Sequence, residues 1–316
     1  MGSYQVITGQ NIYDVALHIY GSVEGITDLL VNNERLSLDD DLRAGDVLYY
    51  TDDYRINQEV VAYYQTHGIT PASGELHVYP KSFSLPLTVE LYLSQEAISS
   101  GFTVSGSGKL EIDWGDNSVA EAVSVDGNSL RLSHLFDSPA GGKRKVSLYM
   151  EGCFKVLDFS GFQPLALYIF KPVYVERFIL KNAALGIESL PLLSDVFELC
   201  LDGLRTDEFT PLLELKELMS LSLCGTVFRQ PVIDAYLTGL VGRHDNRRSC
   251  KVAFDCQPSG EYREPRKDAN GRYMVSSGME AIWVLTHEPA WNEGAPWEFM
   301  INDKIYRYEQ DNSANL

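Results

Sequence analysis

The 316-residue chain has no run of about 20 apolar residues, so no membrane-spanning helix and no membrane insertion is expected. Basic charge is also short. Lys and Arg total 26 against 44 Asp and Glu, a formal net charge of −18. Without a basic stripe there is little to displace counterions from phosphate, which excludes non-specific nucleic-acid binding. Docking on an anionic bilayer is disfavoured for the same reason. Cysteine is scarce: Cys153, Cys200, Cys224, Cys250 and Cys256. An odd, sparse set in a long chain reads as reduced thiols rather than a disulfide framework. Cys250 and Cys256 can face each other across a short loop, but their spacing fits no zinc pattern. The six histidines are scattered, so no metal site is expected. G-x-S-x-G, H-E-x-x-H, the Walker A loop and the dinucleotide glycine fingerprint are missing. No catalytic residue and no cofactor is therefore assigned. The opening MGSYQVITGQNIYDVALHIYG lacks a basic stretch, and Asp14 interrupts its apolar run, so it does not read as a secretory signal.

What is present reads as a globular chain, with 45% hydrophobic and 22% charged residues. YQVI alternates and predicts a short strand. Asn11 is placed to cap a helix, and Ile12, Val15, Ala16 and Ile19 recur at helical spacing. Gly21 sits where a helix-ending glycine belongs. A second helix fits VEGITDLLVNN, and GDVLYY reads as a strand. Tyr4, Val6 and Gly9, then Val15, Ala16, Tyr20 and Gly21, then Leu29, Leu30, Asn32 and Asn33, then Gly45, Val47 and Leu48 follow a specific pattern. Over residues 1–53 it resembles a LysM module. Gln10-Asn11 departs from the family's usual Asp-Thr. The resemblance implies a βααβ fold with a shallow groove for peptidoglycan or another N-acetylated glycan. Carried over by position, the groove walls are Gly9, Gln10, Asn11 and Ile12, and Asn32, Asn33, Glu34, Arg35 and Leu36. The other reading makes the module a structural or docking element without sugar. Asp39, Asp40 and Asp41 lie just past the second wall and do not favour anionic muropeptides.

Residues 54–79 read as a helical linker, its helix ended by Gly68 and Pro71, with ELHVYP as strand or linker. Residues 80–152 are β-rich. LTVELYL, GKLEIDW, LRLSHLF and KRKVSLYM alternate or are β-branched, which predicts an antiparallel sandwich. Trp114-Gly115-Asp116, followed by His134 and Phe136, resembles a PKD-type sandwich. Asp113 and Asp116 around Trp114 suit either a cation or, more simply, a β-turn closed by short carboxylates.

Residues 153–241 carry an internal repeat. Phe154/Leu157/Phe159, Val175/Phe178/Leu180, Val196/Leu199/Leu201 and Leu218/Leu221/Leu223 share one template, with central residues 21, 21 and 22 apart. Gly161, Asn182, Gly203 and Gly225 follow each triplet by two places. A proline–apolar step recurs at Pro164, Pro191, Pro211 and Pro231. This resembles a short, degenerate leucine-rich-repeat stack, in which stacking of coils makes a continuous core. Such a stack requires Leu157, Phe178, Leu199 and Leu221 to form one column. Positions between the core residues display a face: Val156 and Asp158, Arg177 and Ile179, Glu198 and Cys200, Ser220 and Ser222. The face is either ordinary surface or the place where a protein partner docks; its residues form neither an aromatic ladder nor a charge column.

Residues 242–316 read as a mixed α/β cap. VIDAYLTGLVGRH predicts the helix leading into it; GMEAIWVLT is a buried helix or strand; WEFMINDKIYRYE is a hairpin about Asn302-Asp303; QDNSANL is a loose tail. Arg243, Arg247, Arg248 and Lys251 either grip an anion or cap the preceding helix. Trp291, Trp297, His287, Glu288 and Glu293 either form a carbohydrate or acid site or plug the repeat stack.

In fold class the chain thus reads as multidomain α+β. A LysM-like head precedes a PKD-like antiparallel sandwich, a leucine-rich-repeat-like stack and a mixed cap. The resemblances imply a non-enzymatic binding and assembly protein. One setting is a prophage tail or baseplate-type particle, assembled from proteins made in the bacterial cytoplasm. The alternative is a peptidoglycan-associated surface or adhesion protein. A lesser alternative is a glycan hydrolase built on Glu288 or Glu293.

Overall fold

The computed structural model describes residues 1–73, 81–116, 118–136 and 142–308; ELHVYP and the tail QDNSANL lie wholly outside them. The chain divides into two compact units, Met1–Tyr79 and Pro80–Leu316.

In the first unit, β1 (Gly2–Gln5) and β2 (Val47–Tyr50) pair antiparallel, with Tyr4 opposite Leu48. Between them run α1 (Ile12–Tyr20) and α2 (Ile26–Asn32). Asn11 caps α1 with a full capping box: its Oδ1 accepts from the Asp14 amide at 2.9 Å, and Asp14 accepts from the Asn11 amide at 3.0 Å. Val15, Ala16, Ile19 and Tyr20 bury the apolar stripe of α1 against Val6, Leu29 and Leu48. Gly21 ends the helix at φ 70°, and a Cβ there would lie 2.2 Å from the Asn57 carbonyl oxygen. The next helix, α3 (Gln58–His67), is more than a linker. The Ile56 and Asn57 amides donate to the Tyr20 carbonyl, and Val61 is buried, so the helix belongs to the body of this unit.

The second unit is built on one mixed sheet of 13 strands among the described residues. Its first strands are β3 (Leu87–Leu93), β4 (Ser99–Asp113), β5 (Glu121–Asp126), β6 (Leu130–Leu135) and β7 (Arg144–Asp158). Then come β8 (Ala166–Ile169), β9 (Val173–Ile179), β10 (Leu193–Ser194), β11 (Glu198–Cys200) and β12 (Ser220–Leu223). After α4 (Gln230–Gly242) and β13 (Lys251–Phe254) come α5 (Gly278–His287), β14 (Glu298–Ile301) and β15 (Lys304–Arg307). The two 15-residue strands β4 and β7 pair from Thr103 opposite Asp158 to Asp113 opposite Ser147, and two arms of the sheet share this ribbon. One arm adds β5 beyond β4, and β3 and β8 beyond β7. The other adds β6 beyond β4, and beyond β7 a ladder of β9, β11, β12, β13, β14 and β15. The ribbon bends where the pairing slips at Ser105/Gly106, with Gly106 at φ 125° and Gly152 at φ 144°. Trp114, at the end of β4, thereby stacks on His134 of β6 at 5.0 Å. Both arms feed one core.

Within the ladder, Leu157, Phe178, Leu199 and Leu221 stand opposite one another in successive parallel strands. The column continues through Val252 and Phe299. Two further rungs therefore lie in the region read from sequence as a cap. They arrive 31 and 47 positions on, because α4 lies inside the first interval and α5 inside the second. The sheet is likewise continuous across residue 152, which falls inside β7. Asn182, Gly203 and Gly225 turn the chain out of their strands at φ 55°, 71° and 66°. Pro191 and Pro211 open short 3-10 turns, and Pro231 opens α4, on the return side. GMEAIWVLT is helical, and β14 and β15 form the hairpin about Asn302 (φ 47°) and Asp303 (φ 65°), a type I′ geometry.

Candidate functional site

The LysM-like walls have different fates. Gln10 is buried, and its Oε1 accepts from the Tyr4 hydroxyl and the Ile7 amide, both at 3.0 Å. Its Nε2 donates to the Pro71 carbonyl at 2.8 Å. Asn11 donates to the Ser73 hydroxyl at 3.1 Å, and the Ser73 amide and hydroxyl both donate to Asp14 at 2.9 Å. The segment after α3 therefore covers the turn that holds Gly9, Gln10, Asn11 and Ile12. Ile12 is buried, and Gly9 holds a left-handed turn at φ 83°.

The second wall is open. Asn32, Asn33, Glu34, Arg35 and Leu36 line a shallow hollow of about 740 Å³ with Asp40, Asp41, Arg43, Asp46 and Tyr49. None of Gly9, Gln10, Asn11 or Ile12 lines it. Asn32 donates to the Asp28 carbonyl at 2.8 Å. Asn33 donates to the Leu29 and Tyr49 carbonyls at 2.8 and 2.9 Å and accepts from the Tyr49 amide at 3.0 Å. Its amide thus acts as a strand partner for β2. Asp40 and Asp41 of the hollow follow from the noted Asp39–Asp41 run; the contribution of β2 depends on the helix–strand fold.

The display face of the ladder resolves into two rows. One contains Val156, Arg177, Glu198, Ser220, Lys251, Glu298 and Arg307. The other contains Asp158, Ile179, Cys200, Ser222, Ala253, Met300 and Ile305. The first row alternates in charge once Lys251, Glu298 and Arg307 join it. Arg177 pairs with Glu198 at 3.3 Å, and Arg307 with Glu298 at 3.7 Å. These exposed pairs add little stability; they leave a patterned surface. The second row turns apolar toward β15, where Met300 and Ile305 are exposed. Cys200 donates its thiol to Asp202 at 3.1 Å, and Asp202 also accepts from Ser222 and from the Cys224 amide. Burial and that carboxylate push the Cys200 thiol up, making it a poor nucleophile.

Around Trp114 the carboxylates serve the turn. Asp113 accepts from Lys81 at 2.6 Å and from the Gly115 amide at 3.0 Å. Asp116 has a fully buried side chain and accepts from the Ser118 amide at 3.0 Å and from His134 at 2.7 Å. Burial pushes its carboxyl up, but the Ser118 and His134 hydrogen bonds outweigh that and hold it below the usual range. His134 is a packed sheet residue against Trp114 and Phe136.

The basic segment is largely spent on the rung before it. Arg243 pairs with Glu214 at 3.2 Å and Arg248 with Glu217 at 2.7 Å. Arg247 donates to the Leu213 and Leu215 carbonyls at the end of the 3-10 turn Thr210–Glu214, rather than capping α4. Trp297 is buried in the core on Phe299, and Trp291 stacks on His244 at 3.9 Å. Glu293 lines a pocket with Arg247, Arg248 and Trp291; Glu288 does not. Comparison with family models, with curated proteins and with solved structures gives no match.

Proposed function

We propose that this is a non-enzymatic assembly protein, a structural component of a prophage tail or baseplate-type particle. On this reading the LysM-like head is a docking module. The leucine-rich-repeat-like ladder and the PKD-like bent sheet form a scaffold that presents a partner surface. The observation that carries the reading is the alternating row Arg177, Glu198, Ser220, Lys251, Glu298 and Arg307, set beside Ile179, Cys200, Ser222, Ala253 and Met300. A flat face with fixed charge order suits one protein partner in one register, because a shifted partner brings like charges together. The covering of Gln10 and Asn11 by Pro71 and Ser73 supports docking over sugar binding in the head.

Cross-linking mass spectrometry on purified particles from the source culture tests this. Lys251 and Lys181 are expected to link to other particle proteins, and Lys251→Glu with Arg177→Glu is expected to cut incorporation at least about tenfold. Absence of the chain from particles overturns the reading. The open hollow at Asn32–Leu36 favours a second reading, a peptidoglycan-associated surface protein. Retention on insoluble peptidoglycan that is lost in Arg35→Ala supports that reading instead.

A further inference from the structure

Two loops that enter successive rungs of the ladder meet in one pocket. Residues 247–249 precede β13, residues 290–295 precede β14, and Met219 precedes β12. Met219, Arg247, Arg248, Trp291, Glu293 and Ala295 wall a cavity of about 280 Å³. That is the low end of small-ligand sites, room for about one ring.

One side of the pocket is an aromatic plate. The Trp291 ring lies parallel to His244, at 6° between planes, so one of its faces is backed. Asn292 holds the loop in place. Its Nδ2 donates to the Leu285 and Glu288 carbonyls at 2.9 and 2.8 Å, and its Oδ1 accepts from the Trp297 amide at 2.8 Å. The backbone on either side of Asn292, which carries Trp291 and Glu293, is thereby held before any ligand arrives. The other side is polar. Arg247 is only 8% exposed; two of its nitrogens serve backbone carbonyls, and its Nε has no hydrogen-bond partner among the described residues. Behind the plate, His244 Nε2 and Trp297 Nε1 are also buried without one. Open buried polar atoms cost stability, so this wall of the pocket is held by packing rather than by its own hydrogen bonds. Arg248 stands at the rim, tethered to Glu217, and the Glu293 carboxylate is exposed beside it.

We propose that this pocket binds one pyranose ring of a carbohydrate. The apolar C–H face of the sugar lies on Trp291. Its hydroxyl oxygens accept from Arg248, and a neighbouring hydroxyl donates to Glu293. A sugar hydroxyl is both donor and acceptor, so it matches a wall with guanidinium on one side and carboxylate on the other. A free phosphate suits the arginines but not the plate, and Glu293 and Glu217 repel it. The inference is independent of the head module, since every wall residue lies between 219 and 295.

The test uses the full chain and four free sugars: glucose, galactose, mannose and N-acetylglucosamine. The readout is the indole N–H signal of Trp291, assigned with Trp291→Phe. All four tryptophans (Trp114, Trp283, Trp291 and Trp297) lie in the second unit, so sugar bound to the head leaves this signal still. A saturable shift with at least one sugar is expected, weakened at least about tenfold in Glu293→Ala and in Arg248→Ala. Both residues are exposed, and an unchanged near-ultraviolet circular dichroism spectrum checks their folds. The proposal is overturned if no sugar moves the signal, if inorganic phosphate moves it and no sugar does, or if the shift survives both substitutions.

Discussion

His244 carries a pH dependence that can be read from its surroundings. Burial, then the Arg247 charge, pushes its imidazole down to about 4. The unfolded chain holds it near 6.5. Between those values the unfolded state binds the extra proton, so acidification favours unfolding. The stability is complete above the unfolded value and falls as pH drops toward the folded one. From about pH 7 to about pH 4.5 the loss is roughly 2–3 kcal/mol. Asp116 and Asp202, held below the ordinary carboxylate range, lose their contributions only at lower pH. Urea denaturation followed by tryptophan fluorescence is expected to show this slope in the wild type and to lose it in His244→Phe. An equal slope in both removes His244 as its origin. At this scale the sequence singled out Arg247 but neither His244 nor the groups Arg247 holds. From sequence Arg247 reads as gripping an anion or capping the preceding helix, and it does not cap that helix. Its target, the Leu213 and Leu215 carbonyls, sits more than 30 positions upstream, where only the coiling of the ladder brings it near.

Elements were most legible where local chemistry decides. Helix α1 follows from the Asn11–Asp14 capping box, an apolar stripe and Gly21, all within about ten residues. The terminal hairpin follows from Asn302-Asp303, residue types that tolerate the left-handed region. The bent ribbon was not legible, because GKLEIDW and KRKVSLYM are each only half of a 15-residue strand. Their other halves contain Gly106 and Gly152, which interrupt the alternation and look like turns. Gly106 is the critical point. A Cβ there would lie 2.6 Å from both Phe154 Cα and the Lys155 amide nitrogen, at a φ that other residues avoid. Gly106→Ala is expected to cost on the order of 2–4 kcal/mol, read as a lower urea midpoint. A wild-type midpoint means the ribbon has another way to bend.

The whole molecule is two units, each with its own core. They are expected to unfold separately. Asn33→Ala removes three hydrogen bonds that tie α2 to β2, a cost on the order of 1–3 kcal/mol. Amide exchange in β1 and β2 is expected to accelerate at least about tenfold. The tryptophan-monitored transition, which reports only the second unit, is expected to stay in place; a parallel drop would mean one cooperative block. By itself the sequence determined what depends on near neighbours and on a constant period: the strand–helix–helix–strand order of the head, the caps and turns, and the column Leu157, Phe178, Leu199 and Leu221. Their spacing is fixed by the length of one coil, and the repeat records it directly. Only the tertiary structure decided that Val252 and Phe299 extend the column, that the face charges alternate, that Pro71 and Ser73 cover the head's first wall, and that Trp291 and Glu293 meet Arg247. Each of these joins residues whose separation is set by inserted helices or long returns. Contact at such distances along the chain comes from burying a shared core, which leaves no period in the sequence to read.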